Sequence, residues 1–162
     1  MAREIRESVV LAATPQEVWD TIMDPSRLEL WVTAHHSVKD VEPGPVKAGE
    51  KFTQKLRLAG KSFKVEWCVS ETDEPRLARW VGDGPGGSTA HVCYQLHEQD
   101  GGTRFDYVNE FELPGGALGK AAGGLLTAAP GKREARRSLE RLRTLLEGPS
   151  AQGEGEQGKK QD

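Results

Sequence analysis

The run TPQEVWDTIMDPSRLELW, residues 14–31, holds two proline-led helix starts in one short stretch. Thr14 can cap, Pro15 takes the first helical position with its φ already set, and Glu17 can reach back to the Thr14 amide, the pattern of a capping box. Val18 with Ile22, and Trp19 with Met23, repeat at four-residue spacing, which gives the helix one apolar face. Asp24-Pro25 ends it, because a residue before proline is pushed out of the α region, and the same pair restarts a helix with Asp24 as cap. Leu28 and Trp31 then share a face. The stretch predicts a helix, a break and a second short helix.

What flanks this wedge reads as strand. Before it, residues 3–12 (REIRESVVLA) place Ile5, Ser8 and Val10 among polar neighbours with Val9 and Leu11 on the other parity, a strand buried on one face for most of its length. After it, residues 36–113 keep a period of two, broken by turn signals at Pro43-Gly44-Pro45, Ala59-Gly60-Lys61, Glu74-Pro75, Gly84-Pro85-Gly86-Gly87 and Asp100-Gly101-Gly102. These breaks leave strands at 36–42, 49–58, 62–71, 76–82, 88–98 and 103–113. Their short connections favour antiparallel neighbours, and hence one curved meander closed by the first strand.

Past the strands, residues 115–129 are small and apolar. Ala135, Leu139, Leu142 and Leu146 then form a helical stripe beyond Pro130-Gly131. A long C-terminal helix with a kink or break near Ala129 is expected, its first part, 115–129, free to swing as a gate. Residues 148–162 carry no large apolar side chain and are expected to be a disordered tail, leaving residues 1–147 as one domain.

The charge is nearly balanced, 22 Lys+Arg against 25 Asp+Glu, which argues against nucleic acid as a partner. Residues 1–10 lack the continuous apolar core of a signal peptide, and no run is long and apolar enough for an integral membrane segment, so a cytoplasmic location is expected. Cys68 and Cys93 show no paired spacing and read as reduced thiols. The strand at 36–42 would lie at a sheet edge, where a monomer or weak dimer is the expectation.

The order strand, two short helices, six strands and long helix is that of the helix-grip fold. With "ATPQEVWDTIMDPSRLELW", "EPRLARWVGDGPGG", "GGTRFDYVNEFELPGG" and "RRSLERLRTLLE", the chain resembles the polyketide cyclase/dehydrase and lipid-transport superfamily, also called SRPBCC, START-like or Bet v 1-like, over residues 3–147. The resemblance implies an α+β fold, a seven-stranded curved antiparallel sheet around the C-terminal helix, with a cavity between them and the short helices plugging one end. One branch that is similar to this sequence carries a toxin label from toxin–antitoxin gene pairs.

Strand parity selects what could line such a cavity. In FTQKLRL the set Phe52, Leu56 and Leu58 carries Gln54 inward; FKVEWCV contributes Phe63, Val65, Trp67 and Val69; LARWVG contributes Ala78 and Trp80. AHVCYQL contributes Ala90, Val92, Tyr94 and Leu96, and FDYVNEFEL contributes Phe105, Tyr107, Phe111 and Leu113 with Asn109 among them. A mainly apolar wall with a few placed polar groups suits a small molecule, and equally the aromatics could simply fill a core. The candidate ligand-binding set is Trp31, Gln54, Trp67, Trp80, Tyr94, Tyr107, Asn109, Phe111 and Leu125.

His35 and His36 are the candidate catalytic groups, and since neighbours on a strand face opposite ways, only one of them can look inward. His91 and His97 take the outward parity. No histidine sits at ligand spacing with other donors and no phosphate-binding loop is present, so neither metal nor cofactor is expected. Three functions remain open: binding of a hydrophobic or aromatic, lipid- or polyketide-like molecule without chemistry; an aromatase/cyclase-type polyketide enzyme; and a toxin-like or co-chaperone-like protein that binds a partner. The inward groups are amides and phenols with no clear base, which favours the first.

Overall fold

A computed structural model describes residues 2–58, 60–112 and 129–160. β1 (Ala2–Leu11) leads into α1 (Pro15–Ile22), a 3-10 turn (Pro25–Arg27) and α2 (Leu28–Trp31). β2 (His35–Lys39), β3 (Lys51–Leu58), β4 (Lys61–Asp73), β5 (Leu77–Asp83), β6 (Thr89–Gln99) and β7 (Gly102–Glu112) follow, and α3 (Ala129–Lys160) ends the chain. The strands form one seven-stranded antiparallel sheet in the order β1-β7-β6-β5-β4-β3-β2. The fold is the helix grip, with each strand from β2 to β7 paired to the next and β1 added against β7, from Ala2 opposite Glu112 to Leu11 opposite Thr103.

The wedge forms as its sequence requires. Thr14 Oγ1 accepts from the Glu17 amide at 3.2 Å while the Thr14 amide donates to Glu17 Oε2 at 2.9 Å, so both halves of the capping box are made. Asp24 Oδ1 accepts from the Ser26 amide at 2.9 Å and the Ser26 hydroxyl at 2.6 Å. That tight cap winds the second start into a 3-10 turn first, leaving only one α-helical turn after it. Val18, Trp19, Ile22, Met23 and Trp31 are buried, and the Val46 amide bonds the Met23 carbonyl at 2.9 Å, strapping the β2–β3 loop across the end of α1.

β1 corrects one expectation. Ile5 and Leu11 are buried and Val9 partly so, whereas Ser8 and Val10 are exposed: the odd positions face the core. Ile5 therefore groups with Val9 and Leu11, and Ser8 instead bonds Asp106 on the outer face at 2.7 Å. The second strand is also shorter than expected, ending before Asp40, whose φ of 61° turns the chain.

On α3, Leu139 and Leu142 are buried and Ala135 and Leu146 partly so, the expected stripe. Pro130 is the second residue of α3 as described. Residues 113–128, with Leu113, the expected first part of the helix, the 115–129 gate up to its last residue, and Leu125, lie outside the described residues. Residues 148–160, expected to be a disordered tail, are helical in continuation of α3. Among the described residues no helix is long and apolar enough to cross a membrane.

Candidate functional site

Between the sheet, α2 and α3 lies a cavity of about 370 Å³, near the lower end of the roughly 300–1,000 Å³ typical of ligand sites. α2 and the residues after it close one end with Leu28, Trp31 and Val32; β3 and β4 give one wall with Phe52, Gln54, Leu56, Val65 and Trp67. β5 to β7 give the other with Trp80, Val92, Tyr94, Tyr107, Asn109 and Phe111, and Ala135 and Leu139 of α3 form the roof. Every described member of the sequence-derived ligand set lies on this lining; Leu125 lies outside the described residues.

Trp67 has room because of Gly82, its partner across β4 and β5. A Cβ on Gly82 would sit 2.7 Å from Trp67 Cζ3 and from Val65 Cγ1, closer than such carbons approach, so only glycine lets the indole lie against β5. The indole N–H then donates to Gln54 Oε1 at 2.9 Å. Gln54 Nε2 in turn lies 2.9 Å from His35 Nδ1. An indole nitrogen can only donate, so it fixes which end of the amide is oxygen; the amide nitrogen facing His35 can only donate as well. His35 therefore accepts at Nδ1 and carries its proton on Nε2.

A register irregularity between His35 and Ser37 aims His35 toward Gln54, while His36 is exposed on the other side of the sheet. Burial holds the His35 pKa below its ordinary value, against an upward pull from Glu29 and with a smaller push down from His36. His35 touches the lining through Gln54 and is not itself part of it. The pair thus separates into a neutral ring behind the wall and an outward ring at the surface.

The second polar group sits across the cavity. Asn109 Nδ2 donates to the Tyr107 hydroxyl at 3.0 Å, and Asn109 Oδ1 is buried with no partner among the described residues. Burial raises the pKa of Tyr94, with a further contribution from Tyr107, and burial also raises that of Tyr107, against the Asn109 hydrogen bond, so both phenols stay protonated. Trp31 and Trp80 bury their indole N–H groups without a conventional partner. Both rings pack edge-on to aromatic neighbours: Trp31 against Tyr94 and Phe105, and Trp80 against Phe52 and Tyr94, with centroids 5.6–6.5 Å apart. Such contacts set the edge of one ring against the face of another.

One part of the site was not visible in the sequence. Ser138 Oγ accepts from the Thr33 amide at 3.0 Å and donates to the Glu134 carbonyl at 2.8 Å, and the Thr33 hydroxyl donates to a Glu134 carboxylate oxygen. Glu134 and Ser138 line the cavity, so this clamp ties its closed end to the gripping helix. Lys61, Ser62, Gly84, Pro85 and Ser88 line it too, and they belong to turns or strand ends whose sequence signals spoke only of hairpins.

The profile of a family described as polyketide cyclase/dehydrase and lipid transport matches residues 2–147. The uncharacterized protein MT1597 of Mycobacterium tuberculosis is 28% identical over 113 residues, covering 67% of this chain and 78% of that protein. Protein CV1439 from Chromobacterium violaceum shares the fold at a TM-score of 0.66 with 19% identity, over 89% of this chain and 97% of that one. Ara h 8.0201 shares it at 0.64 with 16% identity, over 90% and 98%.

Proposed function

This chain belongs to the polyketide cyclase/dehydrase and lipid transport family, and from that premise we propose that it takes up a hydrophobic or aromatic small molecule in the cavity between sheet and helix, without covalent chemistry. The observation that carries the reading is the wall itself: about 370 Å³ lined by indole, phenyl and aliphatic groups, with its Gln54 amide already held by Trp67 and His35. A held amide presents a fixed polar edge to a guest and loses no further freedom on binding, which favours affinity. Lipid- and polyketide-like molecules fit this chemistry. We further propose, as the sequence suggests, a cytoplasmic protein that is a monomer or weak dimer; among the described residues no helix is long and apolar enough to cross a membrane.

Binding is favoured over turnover because the ionisable groups on the described lining are committed. Glu134 is bonded to Thr33, Tyr94 and Tyr107 are held protonated, and Lys61 stands exposed at the rim. A cyclase-type reading draws on one observation: Tyr107, Asn109 and the adjacent Tyr94 ring form a neutral donor group of the kind that polarises a carbonyl. Native mass spectrometry of the purified protein, followed by a thermal-shift screen with fatty acids, flavonoids and aromatic polyketides, tests the proposal. A co-purified small molecule or a ligand-dependent rise in Tm is expected; no bound mass and no shift with any class would overturn it.

A further inference from the structure

The outer face of the sheet carries a second cleft, of about 180 Å³, lined by His36, Ser37, Lys39, Thr53, Lys55 and Lys64. Besides His36, its side chains are the ammonium groups of three lysines and the hydroxyls of Ser37 and Thr53. Lys55 and Lys64 are direct cross-strand partners on β3 and β4, a placement in which like charges repel at close range. None of the three lysines forms an ion pair with a carboxylate of the described residues. Arg57 extends the same face toward the β3–β4 turn, where it bonds Ser62, and Glu66, opposite Thr53, is the acidic neighbour by register.

Edge protection explains only part of this arrangement. A lysine on a terminal strand discourages pairing with other chains, and Lys39 on β2 suits that role. Lys55 and Lys64 lie one and two strands further in, where no edge needs guarding. Three ammonium groups gathered with hydroxyls instead make a receptor for phosphate oxygens.

We propose that this cleft binds the phosphate of anionic lipid headgroups and docks the protein on a negatively charged membrane surface. The β3–β4 hairpin places the two chemistries back to back: Lys55, Arg57 and Lys64 face outward, while Leu56, Leu58, Phe63 and Val65 face the cavity, and Lys61 and Ser62 at its tip belong to the cavity rim. A surface that held the outside of the hairpin would bring the rim to headgroup level. The net charge of -3 on the whole chain gives no general attraction to an anionic surface, so docking would rest on local charge such as this cleft. The choice of a lipid surface over a soluble phosphate rests on the cavity reading above; the cationic cleft does not.

Vesicle co-sedimentation of the full chain tests this, with phosphatidylcholine alone against phosphatidylcholine containing phosphatidylglycerol, at low and high salt. Binding is expected only to the anionic vesicles, weakening as salt rises. Lys55→Gln with Lys64→Gln is expected to weaken it roughly tenfold or more, while Arg133→Gln with Arg137→Gln, which removes the same charge from α3, changes it less than about twofold. Equal binding to neutral vesicles, or full binding by the Lys55/Lys64 variant, would overturn the proposal. So would preferential binding of duplex DNA, or inorganic phosphate shifting the Lys55 and Lys64 amide resonances when no vesicle is bound. The Lys55/Lys64 variant should keep the cavity's ligand-dependent rise in Tm, and Asn109→Leu should keep vesicle binding, so failure of docking and failure of the cavity reading give different results.

Discussion

Gln54 Nε2 stands 2.9 Å from His35 Nδ1, and Trp67 N–H dictates that orientation from the other end of the same amide. Nitrogen-15 spectra of the His35 ring should therefore show Nδ1 as an unprotonated acceptor and Nε2 as protonated at neutral pH. Gln54→Leu leaves both neighbours without a partner in a largely enclosed place and should cost about 2–4 kcal/mol in stability. A ring that samples both tautomers equally would mean the relay does not set its state.

The lowered pKa of His35 also fixes the direction of a pH effect. Below its ordinary value of 6.5 the unfolded chain takes up the proton more readily than the folded one. The neutral ring's contribution is thus fully present above pH 6.5 and is lost as pH falls toward and through the folded value. Melting temperatures between about pH 7.5 and pH 5 should decline more steeply for the native protein than for His35→Gln. Parallel curves would assign the slope to other groups.

Gly82→Ala should act on Trp67. With its Cβ 2.7 Å from the indole, the ring must leave its place and the bond to Gln54 with it. We expect a loss of about 1–3 kcal/mol, read as a fall in Tm of about 2–4 °C for each kcal/mol in a chain of this size, together with a changed His35 resonance. A loss of stability with an unchanged His35 spectrum would show that the ring gives way without breaking the relay.

Asn109→Leu should separate binding from folding. The buried Oδ1 has no partner in the described structure, so an apolar replacement removes one bond to Tyr107 and one uncompensated acceptor together. Stability should change by less than about 1 kcal/mol, while the ligand-dependent rise in Tm shrinks. A large fall in Tm with unchanged ligand response would contradict this.

Ser138→Ala removes the acceptor for the Thr33 amide and should cost about 1–2 kcal/mol. Hydrogen exchange read residue by residue should speed up first at Thr33 and Ala34, next to the cavity's closed end. Unchanged protection there would show that the clamp has another anchor.

The strands and the wedge were legible because their signals are local: a period of two, proline at a first helical position, a capping box that closes within three residues. The same alternation put Gln54 and Asn109 on the cavity side and showed that only one of His35 and His36 could face inward. It could not say which, because a register irregularity between His35 and Ser37 decides that. β1 was harder, since Val9, Val10 and Leu11 are apolar in succession and parity is ambiguous where the run is unbroken. The Thr33–Ser138 clamp joins residues too far apart in the chain to leave any local trace. The outer cationic cleft was hidden for a related reason: its lysines are spread over three strands, and the near-neutral total charge conceals their meeting.

β1 is made first yet pairs with β7, the last strand to be made, from Ala2 opposite Glu112 inward. On the ribosome, Ile5, Val9 and Leu11 must therefore wait, unpaired, until β7 emerges. Such long-range closure makes folding slow, and an apolar segment left waiting is exposed to chance association. The same non-local seam ties the first strand of the sheet to β7 and so joins the meander into one cooperative unit. A nascent chain stalled before β7 should be aggregation-prone and a client for chaperones, however well its central hairpins have formed.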